Sequence, residues 1–446
     1  MNPGSRLHMG GMWRQLLLRA LSSRNFRLYF AGQSVSLVGT WMQQVAMSWL
    51  VYRLTGSVIL LGVVSFMGQI PTFLLAPVAG VLVDRWDRRR LLIATQVVAM
   101  LQAALLAFLV LTGSVQVWQI VLLSLFLGLI NTFDIPARQS FFVEIVDNRE
   151  DLGNAIALNS SMFNAARLMG PSIAGLIVSA VGEGLCFVLN SVSYLAVIVA
   201  LAAMRLQRRP QNMERRHLLH ELREGVGYAF GFPPIRVILL LIALVSLMGM
   251  PYSVLMPVFA STILHGDART FGFLMAASGS GALVSTLYLA SRKSVIGLDR
   301  LIVRATIIFG AGLISFSFSD SLLLSLILLM LTGFGAMAMM ASSNTILQTI
   351  VDDDKRGRVM SLFTMAFLGM APFGSLIAGA IAHGMGVRNA LLIGGISCLA
   401  GGALFSMSLP NIRRNIRPIY VRKGIITEVA TGMQSATELT TPPEEQ

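Results

Sequence analysis

From Val97 to Asn131 the chain carries no Asp, Glu, Lys or Arg, and most of that run is apolar. A helix needs roughly 20 apolar residues to cross a bilayer core. This run exceeds that length, and a soluble fold could not shield so much apolar surface. Charged residues make up 12% of the whole chain and cluster between runs of the same kind, where soluble domains carry about 25%. Backbone groups in lipid have to be paired within their own segment, so the runs have to be helices. They are too long and too uniformly apolar for the alternating strands of an outer-membrane barrel.

Apolar runs between charged or turn-rich breaks predict twelve spans. The first six are Leu28–Tyr52, Val58–Val83, Leu91–Thr112, Val117–Ile135, Asn154–Ala180 and Leu185–Met204. The second six are Ile235–Phe259, Phe271–Ala290, Leu301–Phe318, Leu322–Ile346, Val359–His383 and Ala390–Leu409. The expected fold is an all-α membrane protein with two six-helix bundles, 28–204 and 235–409. A leader (1–27), a linker (205–234) and a tail (410–446) flank them. Leu218, Leu219, Leu222 and Val226 could make part of the linker a helix lying on the membrane surface.

Basic residues alternate with the spans. Arg24 and Arg27, Arg85 to Arg90, Arg205 to Arg223, Arg292 and Arg300, Lys355 to Arg358, and Arg413 to Lys423 all fall on one side. The other side keeps little beyond Arg53, Arg269 and Arg388. The positive-inside rule places both termini and the linker in the cytoplasm. It also assigns the net charge of +13 to topology and not to nucleic-acid binding. The two cysteines, Cys186 and Cys398, lie inside apolar runs and offer no metal or disulfide framework. No metal and no cofactor is expected, and no GxxxxGK[ST] loop is present for ATP-driven pumping.

The halves resemble each other. Gly170-Pro-Ser-Ile-Ala-Gly175 matches Gly374-Ser-Leu-Ile-Ala-Gly379 at an offset of about 204 residues, and the same offset carries Gly153 onto Gly357 and Gly182 onto Gly386. Parallel repeats of this kind are a known transporter plan, with the substrate site between the halves.

Gly80-Val-Leu-Val-Asp84-Arg85-Trp-Asp-Arg88-Arg89-Arg90 closes the second span. It resembles the signature of the major facilitator superfamily, with Asp87 standing where that family usually has a second Gly. The resemblance implies a gating latch of Gly80, Asp84, Arg85, Arg88 and Arg89, in which the Asp84 carboxylate sits against the positive N-terminus of the eleventh helix. The plain alternative is a basic loop that only anchors topology. Asp134-Ile-Pro136-Ala-Arg138-Gln139, Gly153-Asn154-Ala155 and Gly170-Pro171 are similar to bacterial exporters of the enterobactin-exporter and macrolide-efflux type. That resemblance implies export driven by the proton gradient. It covers roughly residues 22 to 410.

Gln33, Ser36, Thr40, Gln44 and Ser48 fall on one stripe of the first helix, about 120° wide, with Trp41 and Gln43 beside it. Such a stripe faces a water-filled cavity or another helix. Ser160, Asn164 and Arg167 share a face of the fifth helix. An arginine at that depth costs about 2.5–3.5 kcal/mol on insertion scales. It either attracts an anionic substrate group or is held by carbonyls as a structural bolt. Asp134, one turn after Asn131, is the acid best placed to carry a proton, with a cap near the interface as the plain alternative. Pro171 and Pro372 favour kinks, and Gly170 and Gly175 permit close helix packing.

The leading expectation is a monomeric secondary exporter of a small amphipathic molecule in a bacterial inner membrane. A metabolite importer on the same fold, or a membrane sensor or lipid-handling protein, remains open at this point.

Overall fold

A computed structural model describes residues 19–146, 149–205, 226–292, 294–352 and 355–426, leaving aside the side chains of 76, 77, 81, 84 and 149. The surface helix expected around Leu218 to Val226 falls almost wholly outside these residues. All described elements are helical.

Among the described residues, twelve long helices follow one another. They are α1 (Arg24–Thr55), α2 (Val58–Arg85), α3 (Arg88–Leu111), α4 (Val117–Glu144), α5 (Leu152–Val181) and α6 (Glu183–Ala203). The second set is α7 (Pro233–Ile263), α8 (Ala268–Ala290), α9 (Leu298–Ser317), α10 (Leu322–Ile350), α11 (Arg356–Met385) and α12 (Val387–Arg422). Eleven are long and apolar enough to cross a membrane. The other is α1, whose 32 residues include the polar stripe.

Most boundaries shift by up to about a turn from the sequence reading, and three of the differences have a plain physical cause. α1 begins at Arg24, one turn early, because Ser23 caps it by accepting the Phe26 N–H. α4 does not stop at Pro136 but runs to Glu144. A proline inside a helix removes one backbone bond without ending it where packing holds the rest. α12 continues past Leu409 to Arg422, because Ile412, Ile416 and Tyr420 recur at every fourth residue and are buried.

The two halves are pseudo-symmetric, and the repeat explains how. Gly170 of α5 lies against α1, where an added Cβ would stand 2.4 Å from Trp41 Cβ. Its counterpart Gly374 of α11 lies against α7, 2.2 Å from the Leu247 carbonyl. Gly175 abuts α8 at Ala268 and Gly272, and its counterpart Gly379 abuts α2 at Val58 and Gly62. Copies of one motif therefore make the same pair of contacts in each half, one within the half and one across to the other.

α7 and α11 are interrupted by π turns, at Val245–Gly249 and Phe259–Ile263 in α7 and at Met365–Gly369 in α11. Pro251 and Pro372 follow two of these turns and cannot donate into the helix. The turns are stitched together: the Ser246 hydroxyl donates to the Phe367 carbonyl. Pro171, by contrast, lies inside a continuous α5.

Candidate functional site

The faces of the molecule differ. On the one that carries Arg24, Arg88 and Arg422, called here the basic face, the halves leave exposed, among the described residues, the stripes of α5 and α11 that join them elsewhere. On the opposite face they meet. Contacts between α2 and α11 run from Val58 and Gly379 through the Ser65–Ser375 hydrogen bond (3.1 Å) to Phe73 and Gly369. Nearer the basic face the same stripe of α11 continues as Leu368, Thr364, Ser361 and Gly357, all exposed. An added Cβ at Gly80 of α2 would meet nothing within 4 Å. Contacts between α5 and α8 run from Ser179 and Asp267 to Arg167 and Gly279. Beyond them Ser161, Ala157 and Gly153 are exposed.

A polar clasp closes the opposite face. The Ser179 hydroxyl donates to Asp267 Oδ2 (2.8 Å), and Arg269 Nε donates to Ser179 Oγ (2.7 Å). Asp267 also caps α8 through the backbone N–H groups of Arg269 and Thr270. Partial burial pushes its carboxyl pKa up. The Ser179 hydroxyl, the two backbone donors and the Arg269 charge outweigh that and hold it below the ordinary carboxylate value.

The polar stripe of α1 divides. Gln33 and Ser36 are buried in the bundle, and so is Gln43. Asn190 Nδ2 of α6 donates to Gln43 Oε1 (2.6 Å), and Gln43 Nε2 donates to Gln102 Oε1 of α3 (3.3 Å). Gln102 donates onward to the Leu123 carbonyl of α4 (3.2 Å). This chain of amides bolts four helices together. Thr40 and Gln44 stay exposed, although α1 is enclosed by α2, α5 and α6 and touched by α7 and α8. Their side opens into the cleft between the halves.

Arg167 sits midway along α5, half-buried, with its guanidinium 5.9 Å from the Trp41 ring centroid. Trp41 stands edge-on to Phe163. Among the described residues no carboxylate pairs with Arg167 and no hydrogen bond holds its guanidinium. Its backbone carbonyl lies 3.0 Å from the position of a Cβ on Gly279 of α8. Arg167 thus stands where α1, α5 and α8 converge, at the depth where contacts between the halves end. Asn164, one turn nearer the basic face, is buried and donates to the Ser160 carbonyl.

Asp134 is not a cap. It is buried within α4, ten residues before the helix ends. Thr95 Oγ1 and Gln96 Nε2 of α3 each donate to its Oδ1 at 2.8 Å, and Arg138 pairs with its Oδ2. Asn131 is half-buried one turn away. Sequence reasoning gave Asp134 no partner and missed Arg138, although the i,i+4 spacing is the ordinary geometry of a helical ion pair. It also missed the amide bolt, whose signal is a polar residue at mid-span in each of three apolar runs.

In the basic segment after α2, Asp87 caps α3 by accepting the Arg90 N–H (2.9 Å), so an Asp builds the turn where the family pattern has Gly. Arg88 pairs with Glu144 of α4, Arg89 donates to the Ala202 carbonyl of α6 (2.6 Å), and Arg85 is exposed. The Asp84 side chain lies outside the described residues.

A family profile of transmembrane secretion effectors matches residues 17–421. The chain belongs to the major facilitator superfamily. This facilitator is 25% identical to the staphyloferrin A transporter of Staphylococcus aureus, over 84% of its own length and 93% of that protein's. It is 24% identical to the multidrug efflux pump Tap of Mycolicibacterium fortuitum, over 84% and 93%. To macrolide efflux protein A of Streptococcus pyogenes it is 23% identical, over 84% and 94%. Its fold matches a bacterial homologue of the human lysosomal transporter Spinster, with a TM-score of 0.69, 12% identity and coverage of 90% and 98%. It also matches the nucleoside transporter NupG, with a TM-score of 0.66, 12% identity and coverage of 86% and 98%. This facilitator is therefore a multi-pass membrane transporter and not an enzyme.

Proposed function

We propose that this facilitator is a monomeric, proton-coupled exporter of a small amphipathic molecule, a drug or a siderophore, working by alternating access in a bacterial inner membrane. One observation carries the reading. The halves meet on the opposite face and part on the basic face, and Thr40, Gln44, Trp41 and Arg167 gather at the depth where they part. In this reading the basic face, with both termini, is cytoplasmic, in keeping with the positive-inside rule. The bundles are 28–204 and 235–409, each moving as a unit.

Each site residue has a role in this cycle. Arg167 offers an uncommitted cation to an anionic group on the substrate, and Trp41 and Phe163 offer aromatic faces to its apolar part. Asp134 takes the proton. Protonation would cancel its charge against Arg138 and release the pair. Asp84 latches the basic face when that face closes. The efflux names of the relatives support the direction of transport.

Everted vesicles test the whole reading. A panel of catechol and carboxylate siderophores, macrolides and dyes is offered outside, and gradient-dependent uptake is measured. The expected result is uptake of at least one compound that an uncoupler abolishes. Movement only in the reverse direction would make this an importer, and uptake indifferent to the uncoupler would remove proton coupling.

A further inference from the structure

We propose that the outer flank of the α9–α12 pair, at the basic face, is a binding site for the phosphate headgroup of an anionic phospholipid. This goes beyond the transport reading and does not rest on it.

The two helices are antiparallel and close. Gly310 of α9 lies against the Gly395 carbonyl and Leu399 of α12, Gly402 lies against Thr306, and Arg413 pairs with Asp299. Residues turn by about 100° each. Asp299, Thr306 and Gly310 therefore share the face of α9 that meets α12. Ala305, Phe309 and Gly312 face α10 on one side, and Arg300, Arg304 and Ile307 lie on the other. On α12, Gly394 and Gly401 face α7, while Met407 and Arg414 lie on the other side. Because the helices run in opposite directions, both open sides fall on one outer flank. Arg300 and Arg414 there flank the Asp299–Arg413 pair at the same depth. Arg304 stands one turn deeper, and Arg417 one turn further out.

The charges on this flank lack protein partners. Asp299 is taken by Arg413, and Asp352 by Arg422 at 3.4 Å. Among the described residues, Arg300, Arg304, Arg414 and Arg417 make no hydrogen bond or ion pair, and all four are exposed. Arg304 is the most telling. It lies six residues inside α9, roughly 9 Å along the axis, on the stripe that continues as the exposed Ile307. On α12 the stripe above Arg414 holds Met407, which is 78% exposed. A guanidinium edged by lipid-facing aliphatic side chains has to find its acceptor at the headgroup level, and its forked donors fit a phosphate. A water-soluble anion would not reach past those aliphatic side chains.

The test uses the full chain, purified and equilibrated with mixed phosphatidylcholine and phosphatidylglycerol, with retained lipid counted by native mass spectrometry. Wild type is expected to retain phosphatidylglycerol in preference. Arg304→Gln with Arg414→Gln is expected to lower that preference at least about fivefold, since each basic residue near an anionic lipid surface contributes appreciably. Arg27→Gln with Arg236→Gln removes the same charge elsewhere on the basic face and is expected to leave the preference within about twofold. Should the first pair fail to assemble, Arg414→Gln alone, beyond the apolar run, is expected to lower the preference about twofold. An equal loss in both pairs, an unchanged preference in the Arg414 variant, or displacement of the lipid by millimolar inorganic phosphate would each overturn the proposal.

Discussion

Asp134 and Arg138 show what a single pair of residues contributes. The carboxylate is buried with two donors from α3 as well as its arginine. Removing one partner of a buried pair strands the other charge, at roughly 3 kcal/mol or more. Arg138→Gln is therefore expected to lower thermal stability in detergent by more than Asp134→Asn, which keeps an acceptor for Thr95 and Gln96. Asp134→Asn is expected instead to leave transport, where any persists, indifferent to an uncoupler; normal coupling in that variant would clear Asp134 of the role. Arg167→Lys keeps a charge but replaces the guanidinium that lies over the Trp41 ring. It and Arg167→Ala are both expected to reduce uptake at least about tenfold, the worth of one charged contact, while membrane insertion is unchanged. Asp267 gives a pH prediction. Its carboxyl pKa is held low in the clasp, so the clasp's contribution is complete at neutral pH and is lost as pH falls through that depressed value. Spin labels on the opposite-face ends of α5 and α8 are expected to separate only in strong acid, and in Asp267→Asn already at neutral pH. At this scale the sequence revealed which polar residues sit in the membrane, because each is costly there. It did not reveal which of them face one another. Gln33, Gln43 and Gln44 share one helix, and only packing sends the first two inward and leaves the third to the cleft.

Among the helices, length and repetition were legible and interruptions were not. Apolar runs located all twelve elements, and the match of Gly170–Gly175 to Gly374–Gly379 reported the symmetry, since small residues recur wherever two backbones must approach. Pro136 misled as a stop, and the π turns of α7 and α11 left no periodic trace beyond the prolines that follow them. The glycines also separate two kinds of contact. Gly281 lies 1.8 Å, by an added Cβ, from the Met330 carbonyl of α10, inside one half. Gly175 lies 2.7 Å from the Ala268 carbonyl of α8, across the halves. Gly281→Val is expected to destabilise the fold by about 1–3 kcal/mol, seen as a lower melting temperature in detergent. Gly175→Val is expected to melt close to wild type yet hold the opposite face ajar and transport poorly. The reverse pattern would mean that the α5–α8 contact is a fixed part of the core.

The molecule as a whole is two copies of one six-helix plan in contact at one end, and the proposed cycle requires that contact to open at every turnover. Its apolar runs, basic residues and repeat made the architecture legible from sequence alone. Which end is shut was not, because the same stripe of α11 is buried at Ser375 and exposed at Ser361 only by virtue of where the halves stand. Ser65 of α2 and Ser375 of α11 touch across the closed end, with hydroxyls 3.1 Å apart. The two native cysteines, Cys186 and Cys398, are buried elsewhere. The most direct measurement is transport by the Ser65→Cys/Ser375→Cys double variant, oxidised and then reduced, in the same vesicles. Oxidation is expected to link α2 to α11 and stop transport, and reduction to restore it. Transport at the reduced rate by the fully cross-linked protein would contradict that requirement.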